Sequence, residues 1–143
     1  MPRRDTRLES EGAEFLVLGQ LLIERIPSYK TYTRMPGYDL VATNPNKNKS
    51  LRIQVKSRWR RGANAFALSN FDCDFVVFVA LNRSADPSAP SGQTEQYVFP
   101  VGVLRSVYNP RLDWSRGGIL LSSILGREGY RNNWERVRTA LKL

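Results

Sequence analysis

Apolar residues recur at helical spacing through residues 9–26. Phe15, Leu18, Leu22 and Ile26 fall on one face, and Leu16, Val17, Leu21 and Ile23 widen it. Ser10 is placed to cap this helix and Pro27 to stop it. So broad an apolar surface predicts a helix buried on more than one side. Glu14 is the exception, one turn from Val17 and Leu18 at the edge of the stripe. On the helix alone it reads as a solvated glutamate.

The pattern then changes period. Residues 29–34 alternate aromatic, threonine and basic positions, as in a short strand leading to the bend Met35-Pro36-Gly37. Two further strands, Gly37 to Val41 and Leu51 to Ser57, flank the polar turn from Asn44 to Ser50. Arg58-Trp59-Arg60-Arg61-Gly62 reads as a basic loop, and residues 63–68 fit either a short strand or a loop. Phe75 to Leu81 is an unbroken apolar run of strand length, which predicts a central strand covered on both faces. Residues 82–94 are rich in Ser, Pro, Ala and Gly and predict an exposed loop. Glu95 to Val101 predicts a strand closed by Pro100, and residues 101–107 fit one or two helical turns. A turn over 113–118 and a short strand at Ile119-Leu120-Leu121 follow. Trp134, Val137 and Leu141 share one face of a closing helix over 133–141. Helix, then strands, then helix implies an α/β fold with a mixed β-sheet flanked by α-helices. No internal repeat or composition break divides the chain, so a single domain over 1–143 is expected.

Charge narrows the partners. Lys and Arg total 22 against 13 Asp and Glu, a formal charge of +9. That excess favours a polyanion such as nucleic acid, or an anionic surface. No apolar run approaches the roughly 18 residues that span a bilayer, and no apolar signal region follows the first residues. The chain has one cysteine, Cys73, which rules out an internal disulfide and suits a reducing, cytoplasmic setting. The absence of histidine removes His-based triads and the usual structural zinc sites.

Chemistry collects around the two strands of the hairpin. Side chains alternate faces along a strand, so Gln54 and Lys56 point one way while Ile53 and Val55 point toward a core. Asp39 on the neighbouring strand can approach the polar pair. A carboxylate, an amide oxygen and an ammonium at one end of a hairpin can hold a metal and a phosphate. Each has an ordinary alternative: Asp39 as a turn cap, Gln54 as a sheet-edge polar residue, Lys56 as a solvent-facing strand lysine.

Asp39, 14 intervening residues, then Gln54-Val55-Lys56, preceded by a helix bearing Glu14, resembles the PD-(D/E)xK nuclease superfamily of restriction-endonuclease-like folds. The likeness covers residues 9–81. Gly12 to Leu22 is similar to the first helix of that fold, whose glutamate faces the active site. Gly37-Tyr38-Asp39-Leu40 matches the motif supplying its aspartate, with Gly-Tyr where the family name has Pro. Ile53-Gln54-Val55-Lys56 matches its (D/E)xK strand, with glutamine where an acid is usual. This Gln-x-Lys pattern is similar to a homing-endonuclease branch encoded in group I introns.

The resemblance implies a Mg²⁺- or Mn²⁺-dependent DNA endonuclease. Glu14, Asp39 and the Val55 carbonyl would hold the metal, Gln54 would offer a neutral oxygen, and Lys56 would steady the nucleophile or transition state. One charge fewer than usual implies weaker metal affinity. Glu9 and Glu11 are fallback carboxylates expected to face water, and Asp72 and Asp74 are expected in a solvated turn. Arg34, Arg58, Arg60 and Arg61 can neutralise phosphates and Trp59 can stack on a sugar or base, the alternative being a solvated basic loop. Two other functions compete: a catalytically inactive nucleic-acid-binding domain on the same fold, and a basic protein-interaction module. A nuclease this short would cut a duplex as a homodimer or larger homo-oligomer.

Overall fold

A computed structural model describes residues 5–31, 37–112 and 117–143. The first helix, α1, runs Arg7–Ile23. It begins at Thr6 rather than Ser10, and no side chain caps it. It also ends before Pro27: Glu24 closes it, and Arg25 takes a left-handed conformation with φ 61°. The helix buries Ala13, Val17 and Leu21, a single stripe. Phe15, Leu16, Leu22 and Ile23, expected inside, are exposed, so the second buried side is absent. Apolar spacing alone cannot tell one covered face from two.

Among the described residues seven strands follow: β1 Ser28–Lys30, β2 Leu40–Asn44, β3 Lys49–Arg60, β4 Ala65–Ala67, β5 Phe75–Arg83, β6 Glu95–Pro100 and β7 Gly118–Leu120. Helix α2, Val101–Val107, starts directly from Pro100, and α3, Glu135–Leu141, closes the chain. The main sheet has the order β1-β2-β3-β5-β6, and β4 and β7 form a separate pair. The β3–β5 pairing is parallel and its neighbours are antiparallel, so the sheet is mixed, as expected.

One length differs from expectation. Arg58, Trp59 and Arg60 continue β3 instead of forming a loop, because β5 supplies a partner as far as Arg83 across a register shift between Arg58 and Arg60. Local sequence shows two arginines around a tryptophan; the partner strand decides. The expected turn at 113–118 falls largely outside the described residues, as does most of the bend at 35–37.

Two cores lie on opposite faces of the sheet. On one, α1 and α3 cover Leu40, Ile53, Val77, Val79 and Val98, with Trp134, Val137 and Leu141 contributed by the α3 region. On the other, Val76, Phe78, Tyr97 and Phe99 pack against Phe66, Leu104 and Ile119. β5, an interior strand, sends alternate residues into both, which is why its sequence is apolar without interruption. Asn44 is buried and donates from Nδ2 to the Leu141 carbonyl at 2.8 Å, tying β2 to the end of α3.

Candidate metal and nucleic-acid site

The two strands of the hairpin part at Asp39. Its backbone N–H donates to the Ile53 carbonyl at 2.9 Å, and its carbonyl accepts from the Thr31 N–H at 3.0 Å. Beyond that point β2 offers β3 no further backbone partner, and the Asp39 carboxylate takes the role: Oδ2 accepts from the Val55 N–H at 2.8 Å. N–H and C=O of one strand residue face the same neighbour, so the Val55 carbonyl turns to the same side as Asp39. Gly37, with φ 86°, makes the approach possible; a Cβ there would lie 2.8 Å from both Asn70 Oδ1 and the Asp72 carbonyl.

Asp39, Gln54, Val55, Lys56 and Arg58 line one cleft of about 530 Å³, together with Thr6 and Ser10 of the α1 entrance and Phe66 of β4. Five of the expected residues therefore meet. Gln54 is no edge residue, since β3 is the central strand of five, and its Oε1 is closed to water with no hydrogen-bond partner among the described residues. Lys56 is not a freely solvated strand lysine either. Burial lowers its pKa, and the Asp39 charge works in the opposite direction. Burial raises the Asp39 pKa, opposed by the Val55 N–H and by the charges of Lys56 and Lys30.

Glu14 does not line the cleft, but its charge reaches Asp39. Burial, then repulsion from Asp39, pushes the Glu14 pKa up to about 7. Its side chain is 19% exposed, so the reading as a solvated glutamate is corrected. Glu14, Asp39 and Lys56 thus form one electrostatic chain across three elements. Among the described residues, no group of three or more His, Cys, Asp and Glu side chains could hold a metal. Inside the cleft the donors are the Asp39 carboxylate, the Gln54 amide oxygen and the Val55 carbonyl, oxygen donors of the kind a hard divalent cation accepts when waters and a phosphate complete its shell, while Glu14 stands outside the cleft. The buried Gln54 oxygen, without a partner among the described residues, fits such an ion.

Cations surround the site unevenly. Trp59 and Arg60 line a neighbouring cleft of about 250 Å³ with Glu9, Ser10, Ser57 and Arg58, so a cationic groove extends along β3 beside α1. Arg58 Nη1 donates to the Ala65 carbonyl at 2.8 Å. Arg61 turns away and donates to the Pro90 carbonyl at 3.1 Å. Arg34 lies outside the described residues. Asp72 and Asp74 stand apart from the cleft and engage Arg52, Asp72 through the guanidinium at 2.9 Å and Asp74 through the backbone N–H at 2.7 Å. Glu11 faces water as expected and also pairs with Lys30. Lys30 is the participant the sequence concealed: only the pairing of β1 with β2 brings it beside α1.

The same architecture occurs in a solved structure. The chain has the fold of a homing endonuclease. One matching structure is that of a bacterial homing endonuclease, I-Ssp6803I, with a TM-score of 0.63 and 21% sequence identity over 96% of this chain and 95% of that one. No protein-family model matches the sequence, and no curated protein matches it. Among the described residues, no helix is long and apolar enough to cross a membrane.

Proposed function

We propose that this protein is a divalent-metal-dependent DNA endonuclease whose site is a PD-(D/E)xK arrangement with glutamine in the second acidic position. One observation carries the reading: Asp39, Gln54, Val55 and Lys56 share a cleft, in which Asp39 feels the charge of Lys56 and itself acts on Glu14 outside it. The fold shared with a homing endonuclease supports it. Glu14, Asp39, Gln54 and the Val55 carbonyl would hold Mg²⁺ or Mn²⁺, which when bound lowers the pKa of a water and offsets charge on a phosphate. Asp39 is fixed by its bond to Val55, so it presents its second oxygen in one orientation. Lys56, a compact cation on the cleft wall, steadies negative charge on the attacking oxygen or on the phosphoryl group. Arg58 and Arg60 receive flanking phosphates along the β3 groove.

The test is cleavage of plasmid DNA with Mg²⁺ or Mn²⁺. Asp39→Ala and Lys56→Ala should each lower the rate per folded molecule at least a hundredfold, Lys56→Ala with the fold intact by circular dichroism and Asp39→Ala with a loosened hairpin. Variants that cut as well as the natural chain would remove the proposed site. A second reading, a DNA-binding domain that has lost catalysis, is favoured by one feature, the neutral Gln54 where a carboxylate would add a negative charge. It requires DNA binding that neither EDTA nor Asp39→Ala changes.

A further inference from the structure

Lys30 sits on an edge strand, where a lysine ordinarily extends into water, yet only 9% of its side chain is exposed. It folds inward over α1. There its Nζ contacts Glu11, lies 3.5 Å from Glu14 Oε1 and stands 4.3 Å from the centre of the Phe15 ring. Glu11 lies one turn before both Glu14 and Phe15 on the helix, so a single ammonium meets all three. The two carboxylates differ in setting. Glu11 is 55% exposed, whereas Glu14 is 19% exposed and couples to Asp39.

Resting on the metal-binding reading above, we propose that Lys30 is an internal stand-in cation, shared by Glu11 and Glu14 in the metal-free protein, which releases Glu14 to an arriving divalent ion while Glu11 retains the ammonium. Lys30 is a positioning residue that acts through Glu14. A lysine that merely propped Glu14 would need one acceptor. The second, water-facing carboxylate and the Phe15 ring give this ammonium a place to remain once Glu14 turns toward the cleft. The ammonium and the metal then compete for the same carboxylate and repel one another. That competition fixes the sign of every substitution.

The experiment titrates the full-length, metal-free chain with Mn²⁺ alone in a calorimeter, without DNA. Lys30→Met should bind Mn²⁺ about tenfold more tightly, because the competitor is gone. Glu11→Gln should bind about threefold more weakly, because the ammonium then rests on Glu14 alone. Lys30→Arg, which keeps a cation between the two acids, should stay near the natural affinity. A prop would give the opposite sign, with Lys30→Met weaker; that result, or no change in Lys30→Met or Glu11→Gln, overturns the proposal. If Lys30→Met fails to fold, Glu11→Gln on the exposed side of the helix decides by itself. Failure of the natural chain to bind Mn²⁺ would remove the metal-binding reading and this proposal together. Normal binding with the wrong sign in the variants would remove this proposal alone.

Discussion

Glu14 stores a pH dependence in the metal-free fold. Its pKa rises from 4.5 to about 7 on folding, so between those values the folded state holds a proton that the unfolded chain has released. Stability from this group is therefore full below pH 4.5 and is lost as pH rises through about 7. Discounted for the water that reaches the side chain, the loss is about 2 kcal/mol. Thermal melts in chelator from pH 5 to 8 should fall along this course, and Glu14→Gln should flatten them. A natural chain whose melting temperature rose over that range would contradict the assignment. At this scale the sequence was partly legible. Asp39, Gln54 and Lys56 stood out by spacing and strand alternation, which are local. The burial of Glu14 and the place of Lys30 depend on how α1 rests on β1 and β2, and no window of sequence contains that contact.

The elements show where local pattern suffices and where partners decide. β5 was evident because burial on both faces leaves an unbroken apolar run, and α3 because Trp134, Val137 and Leu141 fall on one covered face. The end of β3 and the outer side of α1 were misread for a common reason: pairing and coverage are supplied by segments distant in sequence. The turn entering β2 gives a direct test. Alanine at Gly37 would place a Cβ 2.8 Å from the Asn70 and Asp72 oxygens, on a backbone with φ 86°. Gly37→Ala should cost about 2 kcal/mol in urea unfolding. Cleavage should fall by more than the lost folded fraction explains, because Asp39 is two residues away. A variant with reduced stability and unchanged activity per folded molecule would separate the turn from the site.

For the whole molecule, the proposed function makes the net charge of +9 and the groove from Lys56 to Arg60 the docking track for DNA. If that groove engages about five phosphates, affinity for duplex DNA should fall roughly 500-fold between 50 and 200 mM salt. Arg60→Ala should lessen the slope of log affinity against log salt by about one. Fluorescence anisotropy across that range measures both, and binding indifferent to salt would speak against the groove as the docking track. Composition announced the charge. It did not announce that the arginines divide, Arg58 and Arg60 toward the groove and Arg61 toward the Pro90 loop.

The bond from the Val55 amide to Asp39 gives one acid two employments. It belongs to the proposed reaction, and it also fastens the hairpin where the backbone ladder stops. Mutational drift would consequently meet unequal resistance across the site. In a lineage released from cleaving DNA, the lysine and the helix glutamate could be exchanged with little harm to folding, whereas losing the aspartate would loosen the strands themselves. Inactive descendants should keep this aspartate longest, and its survival in a sequence would testify to architecture rather than to surviving chemistry.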